Sequence, residues 1–223
     1  MACHSGDWGT TMSLIDDYEV NPAAKYNRAI RLAFKNQYVK TAKILLADPR
    51  VDPSVYDNYL VRLAADWDVV DIVKLLMVDT RVDLSAENNY LVKWAAEKNH
   101  VNILKRLMTY PWVDPSAQNN YAILKATEYG YVEVVKLLLT DTRVDPSARD
   151  NQMILHTARN DHTEVVKLLL SDPRVRSKPL PDHPMIKKAM KEMWVNSIKT
   201  LLLVLDYHDV HRLTDVVRYL YRS

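Results

Sequence analysis

Val51-Asp52-Pro53-Ser54 returns as Val82-Asp83-Leu84-Ser85, Val113-Asp114-Pro115-Ser116 and Val144-Asp145-Pro146-Ser147, each step being 31 residues. One step back stands Val20-Asn21-Pro22-Ala23, and one step forward Val175-Arg176-Ser177-Lys178, where the pattern fades. Other columns keep the same period: Asn27, Asn58, Asn89, Asn120 and Asn151, and Lys43, Lys74, Lys105, Lys136 and Lys167. A fixed period of this length marks a stacked array, in which no repeat buries its apolar face alone.

Each repeat reads as two short helices. In the third, Asn89 is placed to cap a helix over residues 90–98. The helix then stops at a column reading Gln37, Asp68, Asn99, Gly130, Asp161. Gly, Asn and Asp tolerate the left-handed conformation that ends a helix, so positive φ is expected at Asn99 and Gly130. A second helix such as residues 132–139 follows, with apolar residues three and four apart. The breaker-rich stretch after it, with proline at 53, 115 and 146, prevents that helix from running on. Ala33, Ala64, Ala95 and Ala126 recur on the first helix, where small side chains let neighbouring helices approach closely.

Residues 89–100, followed by Val-x-Ile-Leu-Lys-x-Leu, resemble an ankyrin repeat. The Ala-Ala pair, the turn column and the Leu pair carry the resemblance, which covers about residues 21–174. Tyr59, Tyr90, Tyr121 and Gln152 stand where that family has Thr, and the period is 31 rather than about 33. This dialect, with its Asp-Pro-Arg-Val-Asp-Pro-Ser linkers, is similar to arrays encoded by large DNA viruses of protists, which implies a host–virus interaction.

The resemblance implies an all-α ankyrin-repeat solenoid of helix-turn-helix units. The expected organisation is a flexible N-terminal tail over 1–20, five repeats over 21–175, a degenerate sixth over 176–205 and a C-terminal capping helix over 206–223. In the sixth, residues 185–194 and 196–205 are read as a helix pair, and the end of the tail as a cover for the first repeat.

Composition excludes several chemistries. The chain has 223 residues, 3 Gly and 1 Cys. Two of the glycines lie at positions 6 and 9, so neither a phosphate-cradling loop nor a Gly-x-Ser-x-Gly elbow exists. A single Cys builds neither an internal disulfide nor a Cys-rich zinc site. His208 and His211 are three apart, but two ligands fall short of a metal site. His100 and His162 are expected to support the turns by hydrogen bonding. The Asp column at 52, 83, 114 and 145 repeats equally in every linker, which suits turn formation and not catalysis. No enzyme activity, cofactor or metal is expected.

A net charge of +2 gives no nucleic-acid signature, and the longest apolar run, residues 201–205, is far too short for a membrane span. With no secretory signal at the N-terminus, the expectation is a monomer inside the cell, in the cytoplasm or nucleus.

The family's concave face would then capture a partner protein. Columns that vary between repeats supply the candidates: Tyr56, Trp67, Glu87, Trp94, Lys98, Gln118, Lys125, Tyr129, Arg149 and His156. Trp112 is a further aromatic candidate, because Trp and Tyr dominate interface energetics. For Trp94 the competing reading is packing between helices. An adaptor, whose C-terminal helices dock a second protein such as a ubiquitin-ligase subunit, is the alternative function.

Overall fold

The computed structural model describes residues 8–15, 17 and 20–204, without the side chains of residues 8, 15, 26, 56, 57 and 201–204. All regular structure among these residues is helical: α1 (Trp8–Ile15), α2 (Ala24–Lys35), α3 (Val39–Ala47), α4 (Val55–Asp66), α5 (Val70–Leu76), α6 (Ala86–Glu97), α7 (Val101–Leu107), α8 (Ala117–Glu128), α9 (Val132–Leu139), α10 (Ala148–Arg159), α11 (Thr163–Ser171), α12 (Pro173–Arg176) and α13 (Pro184–Val204). The chain forms two compact bodies, one of residues 1–126 and 133–144, the other of residues 127–132 and 145–223.

In the first body each repeat is a helix pair, α2 with α3, α4 with α5 and α6 with α7, and first helices stack on first helices. The alanine columns make that stacking possible. Ala33, Ala64, Ala95 and Ala126 are all fully buried. Around them pack Ile30, Phe34, Leu60, Ile72, Leu91 and Leu104, which are also closed to solvent. Each fully buried aliphatic side chain stabilises by about 1.5–3 kcal/mol.

The turn between the paired helices is left-handed as its sequence requires. Asn99 has φ +56° and Gly130 φ +72°, and Gln37, Asp68 and Asp161 lie at +58°, +55° and +60°. The Asp column folds its linkers, since the carboxylates of Asp52, Asp83, Asp114 and Asp145 each accept from the backbone N–H and the hydroxyl of the Ser two residues on.

The Asn column has a different role from the one its sequence suggests. Asn89 caps no helix. It lies at φ +60°, the last of three consecutive left-handed residues, Glu87, Asn88 and Asn89, and the same triplet recurs at 118–120 and 149–151. Its carboxamide oxygen accepts from the backbone N–H of Asp114, 2.7 Å away in the next linker. Asn58 receives Asp83 at 2.8 Å in the same way, while Asn27 donates to the carbonyl of Asp52 at 3.1 Å. Asn meets both demands of the position, a tolerated positive φ and a short side chain that binds backbone.

A third device ties repeat to repeat. In Asp48-Pro49-Arg50 and Asp79-Thr80-Arg81 the guanidinium grips its own Asp, then reaches back to a carbonyl of the preceding repeat, Arg50 to Val20 at 3.1 Å and Arg81 to Val51 at 2.9 Å. Asp141–Arg143 and Asp172–Arg174 repeat the pair. The linker at 110–112 departs from this pattern, because Tyr110-Pro111-Trp112 stands there instead and the Tyr110 hydroxyl donates to the Met77 carbonyl at 3.3 Å.

The arginine beside each of Asp48, Asp79, Asp141 and Asp172 holds its carboxyl below the ordinary aspartate value. A carboxylate with a depressed folded pKa contributes stability that is present above its unfolded pKa and lost as pH falls through the folded one. The expected result is a denaturation midpoint that holds from pH 7 to 5 and falls below about pH 4, where unfolded aspartate begins to protonate. Arg81→Met should shallow that acid limb, as read by urea titrations across the range.

The second body packs α10 against α11, and α13 against both. Ile154, Val166, Leu169, Ile186 and Ala189 fill its core. The expected helix pair over 185–205 is not formed. One helix, α13, runs unbroken from Pro184 to Val204, since no Gly or Pro follows Pro184 and nothing between Trp194 and Asn196 stops a helix. At the other end, residues 8–15 are helical within the stretch expected to be a tail, and α1 packs on α3. Residues 206–223, with His208 and His211, lie outside the described residues.

Candidate functional site

The first helices of the first body carry an ordered polar face. Tyrosine recurs on it at 59, 90 and 121, and acids at 66 and 97. The Tyr90 hydroxyl donates to the Asp66 carboxylate, and the Tyr121 hydroxyl to Glu97 at 2.6 Å. Each bond links one repeat to the one before it, 24 residues away. Burial first, and then the Asp66 carboxylate, push the Tyr90 phenol up to about 12, so it stays a donor at any physiological pH.

Cations lie between these rungs. Arg62 donates to both oxygens of Glu87, at 2.8 and 2.9 Å, and sits 5.0 Å from the Tyr59 ring centroid. That pair raises the Arg62 pKa through the hydrogen bond with Glu87. The Lys93 ammonium donates to Gln118 at 3.2 Å and lies 5.1 Å from the Tyr90 ring and 5.8 Å from the Tyr121 ring. Lys125 stands 5.9 Å from the Tyr121 ring. Half-exposed pairs of this kind contribute little to stability, about 0–1 kcal/mol each. Their effect is to fix donors and aromatic faces in one arrangement.

Three of the expected site residues, Glu87, Gln118 and Lys125, meet in this ladder. Arg62, Asp66, Tyr90, Lys93, Glu97 and Tyr121 belong to it as well and were not foreseen. The signal that could have found them is the tyrosine column at 59, 90 and 121, which reads in the sequence only as a departure from Thr. Trp67 follows Asp66 directly and is 36 % exposed, and Lys98, in the same column, is exposed.

Trp94 is not available on this surface. It is 4 % exposed, its ring lies 4.6 Å from that of His100, and its indole N–H has no hydrogen-bond partner among the described residues. Its position before the alanine pair turns it into the stack, so it belongs to the core. His100 in turn meets Asp68 at 3.0 Å across the repeat boundary, the turn-supporting role expected of it. Trp112 is 60 % exposed on the linker, its ring 5.3 Å from that of Tyr110. The side chain of Tyr56 lies outside the described ones.

In the second body Tyr129 is 47 % exposed beside Tyr131, with ring centroids 5.5 Å apart, and Arg149 and His156 are exposed. There the His162 ring meets the Glu128 carbonyl at 2.9 Å, again supporting a turn.

Among the described residues, no group of three or more His, Cys, Asp and Glu is placed to hold a metal ion, and no helix is long and apolar enough to cross a membrane.

Residues 60–150 and 92–179 match the family model of ankyrin repeats in three copies. Among solved structures, the crystal structure of EF0377, an ankyrin repeat protein, is similar with a TM-score of 0.60 and 23 % identity, covering 77 % of this chain and 94 % of that one. No curated protein matches the sequence.

Proposed function

Because the chain belongs to the ankyrin repeat family, whose arrays generally mediate protein–protein interaction, we propose that it is a non-enzymatic scaffold that captures a partner protein on the concave face of its first helices. The Tyr–acid–Lys ladder of residues 59–125 carries this reading. Its side chains are spent neither in the core nor on helix capping, yet they are held in fixed positions by bonds 24 and 25 residues apart in sequence. Preorganised donors and rings cost little further ordering when a partner arrives, which is where a rigid scaffold gains affinity. Trp67, beside the ladder, supplies the exposed aromatic anchor.

The 31-residue period and the Asp-Pro-Arg-Val-Asp-Pro-Ser linkers support a likeness to arrays of large DNA viruses of protists, and with it a host protein as the partner inside the cell. Within the second body, Tyr129, Arg149 and His156 are proposed as partner contacts of that body by itself. The adaptor reading concerns residues 206–223, outside the described ones.

The test is affinity capture with quantitative mass spectrometry, using wild type and Trp67→Ala/Lys93→Glu. The expected result is a partner whose recovery falls at least tenfold with the variant, while the melting temperature moves by no more than about 2 °C, since both sites are surface positions. Equal recovery on both proteins would sink the proposal for this face.

A further inference from the structure

Helix α13 and the segment leading into it carry more cations than acids. Residues 176–204 contain six of them, Arg176, Lys178, Lys187, Lys188, Lys191 and Lys199, against two acids, Asp182 and Glu192. Both acids are engaged: Asp182 meets Lys187 at 2.6 Å, and Glu192 meets Lys167 of α11 at 3.0 Å. Lys178 donates to the Ser147 carbonyl at 3.0 Å. Lys188, Lys191 and Lys199 are exposed. Together with Val195 and Asn196 they line an open depression along one side of the helix.

Spacings of three, seven and eleven residues put Lys188, Lys191, Val195 and Lys199 on one helical face. The core contacts of α13, through Ile186 and Ala189, lie on another. Beside the lysine strip the helix exposes Met190 at 44 % and Trp194 at 37 %. Lys188 and Lys199 are eleven residues apart, about 16 Å along the axis. An extended peptide covers that distance in about five residues.

We infer that this face of α13 is a second docking surface, and that its occupant is an acidic, extended protein segment carrying a large apolar side chain. Charge complementarity sets the sign: three exposed ammonium groups along one face, against the single carboxylate of Glu192 in the same lining, fit the carboxylates of such a segment, and Met190 and Trp194 receive its apolar residue. A bilayer fits less well, because among the described side chains of this helix, which is anchored by its other face, the large apolar ones exposed are Met190 and Trp194, a small area for insertion. A nucleic acid fits less well because three cations neutralise too few phosphates to hold it at physiological salt.

The experiment titrates the full chain into a fluorescein-labelled ten-residue Asp/Glu peptide containing two Leu, read by anisotropy. Parallel titrations use vesicles with anionic lipid and a single-stranded oligonucleotide. Lys188→Ala/Lys191→Ala/Lys199→Ala should raise the peptide Kd at least tenfold with the melting curve unchanged. Trp194→Ala should weaken the leucine-containing peptide but not its Leu→Ser counterpart. The triple Lys43→Ala/Lys74→Ala/Lys105→Ala, on the second helices of the repeats, should leave binding as it was. Absence of peptide binding to wild type, equal loss with the control triple, or tighter strip-dependent binding to the vesicle or oligonucleotide would each overturn the proposal. Because the Trp67→Ala/Lys93→Glu variant keeps this helix intact, failure here and failure of the concave face are told apart.

Discussion

Gly130→Ala should destabilise the second body by about 2–4 kcal/mol, read as an early loss of helical signal in urea titrations. Two costs combine. The backbone at φ +72° is a left-handed conformation, which an L-residue with a Cβ enters at about 1–2 kcal/mol. The added methyl would also lie 2.5 Å from Nδ1 and 2.8 Å from Cε1 and Cγ of the His162 ring. That ring cannot simply retreat, since its other nitrogen meets the Glu128 carbonyl at 2.9 Å. The costs separate by substitution. Gly130→Asn, of a type that tolerates positive φ, should keep the clash and lose much of the strain, whereas Gly130→Ala/His162→Ala should do the reverse. A double-mutant cycle with no coupling between positions 130 and 162 would show that the ring is not what demands glycine there.

Trp94→Ala should cost about 3–5 kcal/mol, the range for removing a buried large aromatic side chain. The side chain is 4 % exposed in a stack whose neighbours, Ala95 and Ala96, are fully closed, so little can move in to fill the space. His100 loses its ring partner at the same time. Any weakening of partner capture by Trp94→Ala should therefore follow the unfolded fraction and vanish at low temperature or low denaturant. Trp67→Ala should do the opposite, leaving the melt in place while reducing capture. If Trp94→Ala folded as stably as wild type yet lost the partner, its place in the core would be wrong.

The contrast between these two tryptophans shows how far the sequence can be read. The period, the alanine columns and the left-handed turn follow from residue types whose physics is local: Ala permits close approach, and Asn, Asp and Gly accept positive φ. They were legible for that reason. Trp94 was not, because a large amphipathic ring suits both a helix interface and a binding groove, and only the path of the neighbouring repeat decides between them. Asn89 misled for a similar reason. The carboxamide that caps a helix can equally accept an N–H from the next linker, and the choice depends on a backbone turning left-handed three residues in a row. The helix pair expected over 185–205 rested on continuing the period beyond its last clear linker, although the local sequence holds no breaker. The ladder lay in plain columns, but a column of tyrosines carries no sign of its acids until the 24-residue offset between neighbouring helices is known.

The left-handed triplets at 87–89, 118–120 and 149–151 bear on the molecule's chirality. Every residue in them is an L-amino acid held where its mirror image would be at ease. By symmetry, the penalty of about 1–2 kcal/mol that an L-residue meets there becomes a preference of similar size for the D-enantiomer. A chain assembled by ligation with D-asparagine at position 88 or 119, both exposed, should be more stable than the natural one. In ordinary right-handed helices the same exchange is disruptive. These triplets should also subtract from the ellipticity at 222 nm, since a left-handed turn rotates light in the opposite sense, so circular dichroism should read fewer helical residues than the fold contains.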